Sequence, residues 1–267
     1  MANSSLLLNQ FNVEKCLPIL SEKAAIFDSM WSRLNVKPFL AYRIIIGIFG
    51  LAYVIFDITW ETINFYKHNI GYWFIYATNW AFVIFSFSMA ILAANCVIRF
   101  FKPRYEFNDN YCHGIFLLYT ITAVSTLTVD LVYWVALNAE KGLMSESEAR
   151  IKHTIPTIII LVDLMINRIV LELAHVIYPI ICGVIYIIFN AIYYHSGGTR
   201  YDGKPYVYEA VNWTHTESAT TACLIVIVFT LIIHNILFCI TFIKFLLKES
   251  YSDIKKSVNS DSVCLVK

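Results

Sequence analysis

Four stretches of this 267-residue chain contain no Asp, Glu, Lys or Arg. They hold 31 residues between Lys67 and Arg99, 20 between Asp109 and Asp130, 27 between Glu172 and Arg200, and 26 between Glu217 and Lys244. A helix crosses the hydrocarbon core of a bilayer in about 20 residues, so each run is long enough to span. Apolar strands of a soluble α/β protein meet turn signals after about 4 to 8 residues, which excludes that class. The composition agrees, with 58% hydrophobic and 15% charged residues, against about 25% charged in a soluble domain. Twenty Lys+Arg against 19 Asp+Glu give a net charge of +1 and no basic surplus for nucleic acid.

The pattern predicts six helices, at 39–60, 71–98, 114–137, 154–172, 175–194 and 219–247. Polar residues from Asp163 to His175 divide the fourth from the fifth, since one continuous helix there would reach about twice the hydrocarbon thickness; the turn is expected near Glu172. Six spans place both termini on one side. With the N-terminus cytoplasmic, 14 Lys and Arg fall on cytoplasmic segments and six on the other side, which is the positive-inside distribution. The reading is an all-α, six-helix integral membrane protein with both termini cytoplasmic, in the plasma membrane or endoplasmic reticulum. It divides into an N-terminal segment 1–38, a transmembrane domain 39–247 and a tail 248–267.

The outer loops 61–70, 138–153 and 195–218 contain no cysteine, and the last carries the sequon Asn212-Trp213-Thr214. Asn212 lies close to the sixth helix, and an unused sequon is expected. Trp60, Trp73, Trp80, Trp134 and Trp213 all fall near the outer face, as in an interfacial aromatic belt. The seven cysteines show no metal-ligand spacing, so no metal and no cofactor is expected. The first 30 residues lack the pattern of a signal peptide, and the first helix is expected to direct insertion.

Ionisable residues inside a membrane are functional candidates, weighed against simple pairing between helices. Two groups emerge. Arg168, Glu172 and His175 lie near the inner face and would share one side of a continuous helix, which suits structural pairing. Asp57, Thr78, Asn79, Asp130, His153 and Asp163 come from different helices and lie in the outer half. Ser145 and Glu148 resemble a capping box, which would start the fourth helix earlier and put His153 on its second turn. A Thr hydroxyl with a His imidazole is the minimum for nucleophilic acyl transfer. Thr78 and His153 form such a candidate dyad, with Asp130 or Asp163 to orient the imidazole. His234 with Asn235 is a further candidate, better read as an interhelical hydrogen-bond pair.

Motifs then add a resemblance. The stretch His195-Ser196-Gly197-Gly198-Thr199-Arg200-Tyr201-Asp202-Gly203-Lys204-Pro205-Tyr206-Val207-Tyr208, with Asn212-Trp213, resembles the signature of rolling-stone-like membrane proteins, a GGT-x-Y-x-G turn before a Y-x-YP-x-LDW segment. Trp73, Tyr76, Thr78, Asn79 and Trp80 are similar to that family's W-x-x-Y-x-TNW motif, Phe27, Ser29 and Trp31 to its F-x-SQW motif, and His175 to Pro179 to its H-x-x-YP element. Glu209 stands where the family usually has Pro, Ala210-Val211 replace its loop residues, and Asn212 replaces Asp, which marks a divergent member.

The resemblance implies a surface protein of cell fusion during muscle formation, acting through protein partners or lipids. The contact surface expected from it is the outer loop 195–218, with Gly197, Gly198, Thr199, Tyr201, Gly203, Tyr206, Tyr208 and Trp213 as its motif residues. The family is also similar, more distantly, to the androgen-induced and androgen-dependent six-helix proteins, Thr/His hydrolases of fatty-acid esters of hydroxy fatty acids. By position that similarity implies Thr78 and His153 as the dyad, with a lipid ester as substrate. Transport ranks third, since the chain has neither repeat halves nor a Gly/Pro-broken helix pair.

Overall fold

The computed structural model describes Ser29, residues 36–137 and residues 146–264. Phe27, Trp31 and Ser145 lie outside the described residues. Among the described residues six long helices pack as a bundle: α1 Val36–Asn64, α2 Ala77–Phe101, α3 Asp109–Val132, α4 Glu146–Ile166, α5 Ile177–His195 and α6 Thr216–Cys264. Five apolar stretches are long enough to cross a membrane: Val36–Asn64, Ala77–Phe101, Asp109–Ala136, Leu173–His195 and Trp213–Leu247. The fold is therefore all-α with five candidate spans. α4 is not among these five, because Arg150, Lys152 and Asp163 interrupt its apolar sequence. Its outward face is still apolar, with Ile151, Ile158, Leu161, Val162 and Met165 exposed.

Glycine sets a close contact between α1 and α2. A Cβ at Gly47 of α1 would lie 2.8 Å from Ala93 Cβ of α2, and one at Gly50 would lie 3.2 Å from Ser86 Cα. Small residues at this spacing let two backbones approach without a clash, a common device in membrane helix pairs. The interior behind them is close-packed around Trp73, Phe85, Tyr119, Ala123, Val124, Ile160 and Ile169, each fully buried. Outward-facing residues recur at helical spacing, as in Ile181, Ile185, Ile188 and Ile192 of α5 and Leu224, Val228, Ile232 and Ile236 of α6.

The last helix continues past the expected limit of 247 to Cys264, and larger differences in kind occur at the second and fourth helices. The second helix does not begin at 71: Ile70–Ile75 is a 3-10 turn, Tyr76 is extended, and α2 starts at Ala77. Side chains stabilise this break, since Trp73 Nε1 donates to Asp57, Asn79 Nδ2 to Trp73 O, and Trp80 Nε1 to Phe74 O. Thr78 accordingly lies in the first turn of α2 rather than two turns into it.

The fourth helix runs over Glu146–Ile166 instead of 154–172, and residues 167–172 are not helical. Non-helical backbone at membrane depth must be buried and hydrogen-bonded by protein. α6 meets that need: Lys244 Nζ donates to Leu164 O and Asn167 O, Thr241 Oγ1 accepts from Leu171 N, and His234 Nε2 lies 3.1 Å from Glu172 O. Arg168 and Glu172 therefore sit on this non-helical segment, not on one face of a continuous helix, while Glu172 keeps a 3.4 Å contact with His175. His234 serves the segment, whereas Asn235 donates to Leu231 O of its own helix, so the two are not an interhelical pair.

Candidate functional site

The end of the bundle where α1 finishes and α2 begins holds two linked features, a buried charged cluster and an ordered loop over it. Asp57 and Glu61 are one turn apart on α1 and share a face. Lys152 of α4 reaches both, at 2.5 Å and 3.0 Å, with its ammonium 5.4 Å from the Trp73 ring centroid. Tyr66 Oη donates to Glu61 at 2.9 Å and Trp73 Nε1 to Asp57 at 2.8 Å. These partners come from different local elements, so the cluster ties α1, the 3-10 turn and α4 together.

His153, the next residue along α4, turns to α3. Its Nδ1 lies 2.8 Å from Asp130 Oδ1, and its ring stacks on Tyr133 at 3.8 Å between centroids. Thr157, one turn on, donates to the other Asp130 oxygen at 2.5 Å. The carboxylate thus holds the imidazole through Nδ1 and leaves Nε2 as the nitrogen for proton transfer, the geometry by which an Asp orients a general base.

Asp163 belongs to a different group. It lies ten residues from His153, about 15 Å along α4, and accepts from Arg43 at 2.6 Å, Tyr42 at 3.0 Å and Asn167 at 2.8 Å. Tyr119 of α3 accepts from Asn167 at 2.7 Å in the same cluster. Asp163 is therefore an interhelical anchor near the start of α1 and does not orient His153. Thr78 is half-buried and hydrogen-bonds Tyr208, whose hydroxyl also accepts from Ala77 N at 3.0 Å. The structure thus places Thr78 with Tyr208 and His153 with Asp130, in separate hydrogen-bonded groups. Asn79 caps Trp73 O, so its amide is engaged in the turn that starts α2.

The loop over this end is built from the motif glycines outward. Gly197 at φ +77° ends α5, and a Cβ at Gly198 would lie 2.6 Å from Tyr193 O, so both positions require glycine. Tyr193 Oη then donates to Thr199 O. Arg200, 1% exposed, forks onto Asp202 with contacts of 2.9 Å and 2.6 Å, while Gly203 at φ +86° closes the turn through Arg200 N to Lys204 O. That guanidinium holds the Asp202 carboxyl below the usual carboxylate range. Tyr201 packs edge-on against Tyr66, and Tyr208 against Tyr76. Trp213 Nε1 donates to Asn190 Oδ1 at 2.8 Å, and Asn212 Oδ1 accepts from Thr214 N at 3.0 Å. Exposed positions are left at Asp202, Gly203, Pro205 and Glu209, with Lys204 and Tyr206 half-exposed.

Lys152, Glu61, Arg43 and Asn167 are not among the candidates read from the sequence. The signal for the first two is nevertheless there: Asp57 and Glu61 stand at i and i+4, and a fourth helix starting near 146 carries Lys152 beside His153. Arg43 is legible as the single cation within the predicted first span. Among the described residues there is no cluster of His, Cys, Asp and Glu with metal-binding geometry.

Similarity to known proteins bears on the same residues. The model of one family, Protein rolling stone, matches residues 20–264. Protein rolling stone of Drosophila melanogaster is 25% identical over 203 residues, covering 71% of this chain and 72% of that protein. No solved structure matches. With the match running across nearly the whole helical bundle and the glycine-framed loop, the chain belongs to the rolling stone family.

Proposed function

We propose that this rolling stone family membrane protein acts at the cell surface or in the endoplasmic reticulum in cell fusion or development, a role of the myoblast-fusion kind. In this reading both termini are cytoplasmic and the loop at 195–218 faces outward, as its place opposite the Lys- and Arg-rich segments suggests. One observation carries the proposal: the loop is a preorganised platform, framed by Gly197, Gly198 and Gly203, locked by Arg200 on Asp202, and seated on Tyr66, Tyr76 and Asn190. A rigid loop presenting Tyr206, Lys204 and Pro205 binds a partner with little ordering cost. The test is exchange of residues 200–206 for a Gly/Ser linker, keeping Tyr208 and Trp213. Loss of fusion at unchanged surface level supports the platform; undiminished fusion removes it.

A second reading, hydrolysis of lipid esters such as fatty-acid esters of hydroxy fatty acids, is favoured by the His153–Asp130 pair. Thr78 Oγ1 would attack the ester carbonyl, His153 Nε2 would take its proton and then pass it to the departing alcohol, and water would release the acyl group by the same route. In this reading Tyr208 yields Thr78 to the substrate. Labelling by a fluorophosphonate probe that is lost in both Thr78→Ala and His153→Ala, at wild-type thermal stability, supports it. Absence of labelling in folded wild type refutes it.

A further inference from the structure

A cavity of about 330 Å³ opens where α2 ends, at the opposite end of the bundle from the 195–218 loop; Val97, Ile98, Phe101, Lys102 and Tyr105 line it. We propose that it seats one anionic diacyl phospholipid, with an acyl chain along Val97, Ile98 and Phe101 and the phosphate at Lys102 and the Tyr105 hydroxyl. The volume falls within the range of small-ligand sites. Its apolar wall continues the lipid-facing surface: Phe101 is 75% exposed and packs edge-on against Phe100. Its polar rim begins where the candidate span Ala77–Phe101 stops, the level at which headgroups lie.

Charge and rigidity identify the occupant. Arg99 is engaged within the turn, donating to Pro103 O at 2.5 Å and Tyr105 O at 3.3 Å, and so fixes the shape of the rim. Lys102 makes no ion pair among the described residues, and it and Arg104 are both exposed. Glu106 and Asp109 are the carboxylates of this short connection, so residues 99–109 carry three cations and two anions. Tyr105 is held by a ladder of rings through Phe107 to Tyr111, whose hydroxyl donates to Asn95 at 2.7 Å. A cation and a phenol at the rim of an apolar trough match a phosphate on a glycerol backbone, and the surplus positive charge selects a headgroup with net negative charge.

Native mass spectrometry of the full chain, released from micelles doped with phosphatidylserine or phosphatidylcholine of the same acyl composition, tests this. The serine lipid is expected to be retained about fivefold or more over the choline lipid. Lys102→Glu with Arg104→Glu, both at exposed positions, should bring the two to parity. Val97→Trp, which fills the trough, should remove the bound lipid of either kind. Equal retention by wild type overturns the proposal, as does a preference that survives the double charge reversal. Displacement of the lipid by millimolar inorganic phosphate would make this a free-anion site and overturn it too.

Discussion

Lys152 of α4 lies 2.5 Å from Asp57 and 3.0 Å from Glu61 of α1, with all three side chains buried. α4 is the long helix whose apolar stretch falls short of the candidate spans, so its place in the bundle depends on these contacts at one end and on Arg43–Asp163 at the other. Removing the cation leaves two carboxylates facing each other without solvent. Lys152→Met is expected to lower unfolding stability in detergent by about 3–5 kcal/mol. Adding Asp57→Asn and Glu61→Gln to that variant should restore most of it, because no buried charge is then left unpaired. A single variant as stable as wild type would refute the assignment.

The α1–α2 contact gives a sharper steric contrast. Gly47→Val places methyl groups where Ala93 Cβ and Met89 O already stand, and overpacking of that kind costs about 1–3 kcal/mol. Gly183, inside α5, has open space where a Cβ would lie, with nothing within 4 Å. Gly183→Ala should therefore stabilise by up to about 1 kcal/mol through helix propensity alone. Denaturant titration of the two variants side by side checks both signs.

These two cases show what the sequence can convey. Long apolar runs reveal spans because each reports an average over many residues, and the candidate spans Val36–Asn64, Asp109–Ala136 and Trp213–Leu247 lie close to their expected limits. Similar depth likewise groups Asp57, Asp130 and His153 in one layer, where the structure has them. Depth misplaces Asp163, because Arg43, its partner, enters from the start of α1, 120 residues away. Hydropathy also misses the break at residue 76, and of the break at 167–172 it gives only a turn near Glu172; helices stop there through hydrogen bonds involving Asp57, His234, Thr241 and Lys244. No local pattern encodes such bonds.

The sequon at Asn212 is expected to stay unmodified. Its side-chain oxygen caps the turn at Trp213–His215, Thr214 Oγ1 lies 3.3 Å from the Tyr194 hydroxyl, and α6 begins four residues later at Thr216. The acceptor amide is thus held against the bundle at the membrane surface, with little clearance for a transferase. Treatment of the cell-derived protein with an N-glycosidase should leave its electrophoretic mobility unchanged. A shift that disappears in Asn212→Gln would show the opposite.

Asp202 should make the ordered loop sensitive to acid in one direction only. Its carboxyl is held below the ordinary value of 3.8, first by hydrogen bonds from Arg200. A group with a depressed folded-state value adds stability that is fully present above the unfolded value and is lost as pH falls through the folded one. The loop should therefore keep constant protection from neutral pH down to about pH 4, then loosen below it. Protection factors from hydrogen exchange over residues 199–206, corrected for intrinsic rates, would follow the step. Asp202→Asn removes the titrating group, so its loop should be less protected at neutral pH and should show no acid step. A wild-type profile flat to about pH 2, or an unaltered step in the variant, would mean that another group controls the loop.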